Sequence, residues 1–328
     1  MDTRPKVIYL PDTMVSWPWP RTINPHYENF KAEVDASISD FKAQLSPESQ
    51  VAFSECDTER LRISFDLLNS ILFLEEYTTV EDGAVIKEIV DIVIDVLHNP
   101  HKIRPGGECV LGELVRQYWA RAIQSASLSS QRHFLEAFTA YLQGVVGEAL
   151  DRKQSHRRSF DDYLKLRRCT IGLKPCFFMC EMGMDLPDEV FYHPAIMDLI
   201  ECITDLVLID NDMISYNKEQ AVGDEDHNMI SIIMLELGLD ISGAMAWAAR
   251  YHAKVQKRFI DGRANVPSWG PSIDVLVEEY LEGIAMCPRA NHSWCYEVQR
   301  YFSSRGLEIQ QTGLVTLLPR HNREAVCK

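Results

Sequence analysis

DLIECITDLVLIDNDMISYNKE, residues 198–219, is the stretch whose reading decides the fold. A long apolar run ends in Asn211, Ser215 and Glu219, spaced i, i+4 and i+8. At 3.6 residues per turn such a series drifts by only about 40° per step, so the three side chains trace one stripe of a helix. All three offer oxygen, a hard donor set suited to Mg²⁺ rather than to zinc. The same stripe also suits the polar end of a buried helix, and Lys218 and Gln220 beside it decide nothing by themselves.

Outward from this segment the helical period recurs. Leu61, Phe65, Leu68 and Leu72 form one apolar stripe; Leu135, Phe138, Leu142 and Val145 form another. Further helical runs are expected over 26–45, 80–98, 109–126, 193–217, 240–262 and 272–286, separated by breakers such as NPHKIRPGG at 99–107 and NVPSWGP at 265–271. VDIVIDVL at 90–97 is the one β-rich stretch, and it fits a helix as well. The pattern predicts a single all-α domain of about ten helices. WPWPRTINPHY at 17–27 is too rich in proline for regular helix and is expected to strap its Trp residues over the bundle.

Composition limits the function classes. The chain has 328 residues, 46% hydrophobic and 25% charged, ordinary for a globular protein with a sizeable core. A net charge of −15 disfavours nonspecific binding to nucleic acid or to anionic membrane. An anionic substrate would need a few placed cations or metal ions. MDTRPKVIYLPD at the start lacks the apolar stretch of a signal peptide, and no run approaches the roughly 20 apolar residues of a membrane span. Nine scattered cysteines, without paired CxxC units or His partners at zinc spacing, fit a reducing cytosol. The expectation is a cytoplasmic monomer or homodimer with a small-molecule partner, no nucleic acid and no membrane insertion.

NDMISYNKE at 211–219 resembles the metal-binding NSE motif of class I terpene synthases, with every liganding position matched. DDYLKLRRCTIG at 161–172 resembles the family's diphosphate-sensing segment, and WCYEVQRYF at 294–302 its C-terminal Arg-Tyr motif. WPWPRTINPHY and NPHKIRPGGECVLGELVRQYW at 99–119 are similar to it too. The resemblance covers nearly the whole chain and is to the sesquiterpene synthases of basidiomycete fungi. Three separated motifs in the right order make it specific. It implies the α-helical isoprenoid synthase bundle around a central apolar cavity, with a strap at 1–25, one catalytic domain at 26–310 and a tail at 311–328.

Carried over residue by residue, the resemblance implies that Asn211, Ser215 and Glu219 chelate Mg²⁺ and that Lys218 points at the diphosphate. Arg168 aligns with the sensor arginine, with Arg167 as the alternative, and Ile171 and Gly172 take the linker and effector positions. An Arg fork suits phosphate geometry, and a glycine four residues on lets the helix break and bring a carbonyl toward a developing cation. Arg300 and Tyr301 are expected to donate to the diphosphate. The family's Asp-rich box corresponds to ILFLEEYTTVED at 71–82, with Glu75 and Glu76 as acidic ligands and Thr79 replacing the last Asp. Glu75 carries its carboxylate on a stem one methylene longer, which shifts the metal or demands backbone adjustment. Candidate rings for the cavity are Phe65, Phe73, Phe178 and Trp294. Asp91, Asp95, Asp205 and Asp210 are expected to be solvated or paired, and Asp212, one residue off the stripe, to cap or pair.

The leading expectation is a terpene synthase that uses three Mg²⁺ ions to ionise farnesyl diphosphate and releases a sesquiterpene hydrocarbon or alcohol. One variant is a linalool/nerolidol-type synthase of acyclic alcohols accepting geranyl and farnesyl diphosphate. A second class, motivated by the missing aspartates at 75 and 79, is a catalytically silent helical protein that binds prenyl diphosphate; a third is a helical scaffold. A chain-elongating prenyltransferase is disfavoured because its two Asp-rich boxes are absent.

Overall fold

The computed structural model describes residues 6–26, 58–80, 83–154 and 156–320. The helix expected over 26–45 lies outside these residues beyond position 26. Among the described residues there are eleven helices of seven residues or more. They are α1 (Thr58–Val80), α2 (Gly83–His98), α3 (Val110–Ala122), α4 (Leu128–Gln154), α5 (Phe160–Thr170), α6 (Pro194–Val222), α7 (Met229–Leu237), α8 (Ile241–Arg263), α9 (Pro271–Ala285), α10 (Cys287–Glu297) and α11 (Gly306–Thr312).

Helix α6, 29 residues long, is the spine. It starts where the His193 ring accepts a hydrogen bond from the Ala195 amide at 3.2 Å and Pro194 occupies the first turn, where its missing N–H has no helical partner to lose. It stops at Gly223, whose φ of 78° is the left-handed closing conformation that glycine adopts without strain. Between these ends α6 is buried on nearly every face: Leu199, Ile203, Leu206, Leu208 and Ile209 are all within 1% of complete burial. Each such side chain contributes about 1.5–3 kcal/mol relative to exposure, so an all-round apolar helix of this kind belongs at the centre of a bundle.

Helices α8 and α10 pack on α6, and with α7 and α9 they build one apolar cluster. A second cluster is built from α1 to α4, with Tyr118, Trp119, Phe134 and Phe138 at its heart. VDIVIDVL lies inside α2, with Val90, Val93 and Val96 buried, so the helical reading holds. Asp91 and Asp95 on that helix pair outward, Asp91 with Lys87 and Asp95 with Lys102 and Arg104.

One element was not legible beforehand: β1 (Val7–Tyr9) pairs antiparallel with β2 (Leu314–Thr316), Ile8 opposite Val315. Only these two side chains of the pair of strands are buried. Beyond β1 the chain crosses the bundle. Trp17 is buried and donates to the Ala285 carbonyl at 3.0 Å, and Trp17 and Trp19 lie 5.4 and 5.6 Å from the Phe259 ring. The Arg289 guanidinium holds the Met14 and Trp17 carbonyls at 2.6 and 3.0 Å. Thr13 donates to buried Asp210 at 2.6 Å, and His252 and His292 face the same carboxylate at 3.5 and 3.4 Å. Asp210 thereby ties the segment to α6, α8 and α10. No single helix among the described residues is long and apolar enough to cross a membrane.

Candidate active site

A cavity opens where the two apolar clusters meet. Its inner part, about 170 Å³, is walled by aliphatic side chains such as Leu68, Ile71 and Val207 together with Trp294. Its mouth, about 440 Å³, carries charged and polar groups from α1, α4, α5 and α6. Glu75, Tyr141, Arg167, Thr170, Asn211, Arg300 and Tyr301 border both parts, so the two are continuous.

The α6 side of the mouth is buried or half-buried and networked. Asn211, Ser215 and Glu219 all line it. Asn211 accepts from Arg167 Nη2 at 2.7 Å through Oδ1 and donates to the Tyr301 hydroxyl at 3.2 Å through Nδ2. Asn228, the N-cap of α7, donates to Glu219 at 2.9 Å and lies 3.4 Å from Ser215 Oγ. Burial, reinforced by the nearby Asp212 carboxylate, pushes the Glu219 carboxyl up to about 7. Asp212 itself is off the stripe and pairs: it accepts from the Tyr163 hydroxyl, from Arg167 Nε at 3.1 Å and from the Met229 amide at 3.0 Å.

The α1 side is exposed. The side chains of Glu75 and Glu76 are 53% and 65% exposed, and both face the mouth. Arg300, from the one-turn helix Gln299–Phe302, reaches across with Nη2 2.9 Å from Glu75 and Nη1 3.7 Å from Glu76. Burial disfavours the charge on Arg300, but Glu75, Tyr301 and Glu76 together more than offset this and its pKa is raised. Lys218 also lines the mouth; burial lowers its pKa, and the Arg300 charge adds to the effect. Thr79 belongs to α1, but its side chain lies outside the described residues.

Arg168 is not where the sequence expectation put it. Its fork grips Asp205 through two hydrogen bonds of 2.7 Å and pairs with Glu201 at 3.0 Å, and it does not border the cavity. Arg167 borders both parts of the cavity. Consecutive residues on a helix point about 100° apart, so only one of the two can face inward, and fully buried Asp205 draws the other. Burial disfavours charge on Arg167, yet Asp212, Tyr163, Glu148 and Glu219 together hold its pKa well above the ordinary value. Downstream, Gly172 has φ +72° and ends the run of α5, and a Cβ there would stand 2.9 Å from Ile71 Cγ2. Glycine tolerates the left-handed turn that ends the helix at the cavity wall, and a side chain there would crowd Ile71.

The rings differ from expectation too. Trp294 borders the cavity, with Tyr141 and Tyr301, while Phe65, Phe73 and Phe178 do not. Phe178 packs instead at a tilt against Trp119 and Phe134 in the second cluster. Sequence reasoning also passed over Glu148 and Arg152, four apart on α4 and both at the mouth, and Asn228, nine residues beyond Glu219. The spacing of Glu148 and Arg152 is the same signal that exposed the α6 stripe, but surface pairs share it.

The donor chemistry fits a hard divalent cation. Asn211, Ser215 and Glu219 supply an amide oxygen, a hydroxyl and a carboxylate on one face, and the raised carboxyl of Glu219 is one a nearby cation would ionise. Among the described residues no group of three or more His, Cys, Asp or Glu side chains could hold a metal, so a closed zinc-type site is not what the mouth offers.

Comparison with known proteins gives a consistent picture. Residues 72–258 match the family model for terpene synthase family 2, C-terminal metal binding. The chain is 49% identical to sesquiterpene synthase 14 of Postia placenta, with 100% of this chain and 97% of that protein covered. It is 46% identical to Delta(6)-protoilludene synthase 18 of the same fungus, covering 97% and 94%. Among solved structures, the linalool/nerolidol synthase of Streptomyces clavuligerus superposes with a TM-score of 0.76 at 16% identity, covering 85% of this chain and 99% of that one. A single-site variant of cucumene synthase gives a TM-score of 0.76 at 19% identity, covering 86% and 100%; these two likenesses concern the fold.

Proposed function

The chain belongs to the terpene synthase family, and on that premise we propose that it ionises a linear prenyl diphosphate, farnesyl diphosphate foremost, to an allylic carbocation and releases a sesquiterpene hydrocarbon or alcohol with diphosphate. The observation that carries this reading is the polarity of the cavity. Oxygen donors and cations from opposite helices converge on its mouth, and an apolar, ring-bearing chamber lies beneath.

Asn211, Ser215 and Glu219 would hold Mg²⁺ on one side and Glu75 and Glu76 on the other, three ions in all. When bound, Mg²⁺ supplies positive charge that stabilises the departing diphosphate. Arg167, Lys218 and Arg300 add protein charge at the same end. Arg167 and Arg300 are already placed by partners they can exchange: Arg167 shares its fork with Asn211, and Arg300 bridges to Glu75. Swapping these for phosphate oxygens keeps the fork geometry that favours bidentate binding. Tyr301, buried and hydrogen-bonded to Asn211, holds its hydroxyl at the boundary between mouth and chamber. In the chamber, aliphatic walls exclude water, and Tyr141, Tyr301 and Trp294 offer ring faces to moving positive charge.

Incubating the protein with geranyl and farnesyl diphosphate, with and without Mg²⁺, and analysing products by gas chromatography tests the reading. Magnesium-dependent release of terpenes is expected, with farnesyl diphosphate the better substrate. A correctly folded wild type that converts neither diphosphate would overturn it.

A further inference from the structure

Helix α10 presents one stripe to the inner chamber: Cys287, Ala290, Asn291 and Trp294, at i, i+3, i+4 and i+7. Three of these suit an apolar wall. Asn291 does not, because it brings a carboxamide. Its Nδ2 is buried without a hydrogen-bond partner, as is the indole N–H of Trp294 one turn on. The other end of the amide has only a weak contact, with Cys295 Sγ 4.0 Å from Asn291 Oδ1. A buried unpaired donor is destabilising, and a leucine of nearly the same shape would remove that penalty. The amide is therefore an unfavourable feature for a surface that otherwise only has to be greasy.

The weak thiol contact leaves the amide free to turn. Turning the carboxamide gives up only a long S–H···O contact, so the carbonyl oxygen of Asn291 is available to a charge developing in the chamber that the residue borders. Facing an empty apolar space neither end has an advantage. Facing a carbocation the oxygen does, because a fixed dipole in a water-excluded cavity acts on developing charge far more strongly than it would in water. Among the described residues the inner chamber has no carboxylate apart from Glu75 at its rim, so Asn291 is a strong local dipole near the hydrocarbon end of a bound substrate.

We propose that Asn291 is a product-determining residue: its carboxamide turns its oxygen to the carbocation and sets where positive charge comes to rest before the reaction ends. This rests on the functional reading above and adds to it a residue outside the diphosphate-binding mouth.

The test compares N291L, which keeps shape and loses the dipole, with N291D, which keeps an oxygen toward the chamber. Products from farnesyl diphosphate are quantified by gas chromatography and counted per diphosphate released, so the ratio is independent of rate. N291L is expected to shift the ratio of the main product to the sum of the others by about fivefold or more, whereas N291D retains the main product. A folded N291L with the wild-type ratio would overturn the inference, as would N291L and N291D shifting alike. If a thermal melt shows N291L unfolded, the same ratio is read from N291A against N291D. A wild type that releases no diphosphate overturns the functional reading and this inference with it, whereas normal release with an unchanged ratio removes only the role of Asn291.

Discussion

The two sides of the cavity mouth are built differently. On α6, Ser215 is 3% exposed, and Asn211 and Glu219 are held by Arg167, Tyr301 and Asn228. On α1, Glu75 and Glu76 project into solvent and meet the arm of Arg300 from the far end of the chain. The first side is pre-set, with donors whose rotamers are fixed by neighbours. The second is mobile by construction, since long exposed side chains keep most of their rotamer freedom. A cation would find the α6 donors in place and would have to gather the α1 donors around itself.

The largest effect is expected on the pre-set side. Asn211→Ala or Glu219→Ala should reduce turnover of farnesyl diphosphate on the order of a thousandfold, measured as diphosphate release at saturating Mg²⁺. Retention of near wild-type turnover would show that α6 does not hold the metal.

The paired arginines separate activity from stability. Arg167→Ala should cost about a hundredfold in turnover, because it removes a charged fork at the mouth. Arg168→Ala should instead lower stability by about 2–3 kcal/mol in a denaturant melt, because it strands the buried Asp205 carboxylate. The reverse outcome would return the diphosphate role to Arg168.

Glu219 gives a pH signature in the metal-free protein. Its carboxyl is raised to about 7 from an ordinary 4.5, so the folded state prefers the protonated form. The contribution of this group is most favourable below pH 4.5 and is lost as pH rises through 7, by at most about 3 kcal/mol. Glu219→Gln should therefore be more stable than wild type above about pH 7 in the presence of chelator, with the gap closing toward about pH 5. A pH-independent gap would mean that burial does not disfavour this charge.

On the mobile side, smaller changes are expected. Glu75→Gln should reduce turnover about tenfold and Glu75→Asp less, since an exposed side can re-form around a shorter carboxylate. A loss with Glu75→Asp as large as that of Asn211→Ala would make the two sides equivalent.

The architecture was largely legible because burial imposes a period. The runs at 193–217, 240–262 and 272–286 lie within a few residues of α6, α8 and α9. The α6 stripe was legible for the same reason: three oxygen donors at a spacing of four share one face whatever surrounds them. Arg167 and Arg168 were not separable that way. A motif alignment ranks neighbours by offset from Gly172, but the choice of inward residue is made by Asp205, which comes from another helix. Pairing of Val7 with Thr316 was equally hidden, because three-residue strands carry too little alternation to be seen and the partners are 309 positions apart. Phe178 was offered as a cavity ring because its type suits a cation. Its position is set by the backbone turn after Gly172, which sends it toward Trp119.

The β1–β2 clasp has a consequence for rearranging the chain. The Leu317 amide donates to the Lys6 carbonyl at 2.9 Å, so the two described ends of the bundle lie side by side. A short peptide linker between these two ends would close a circularly permuted protein, with new termini cut into the loop between His98 and Val110, away from the mouth. Such a permutant would carry Thr13 and the Trp residues in mid-chain, where fraying of an end no longer reaches the carboxylate of Asp210.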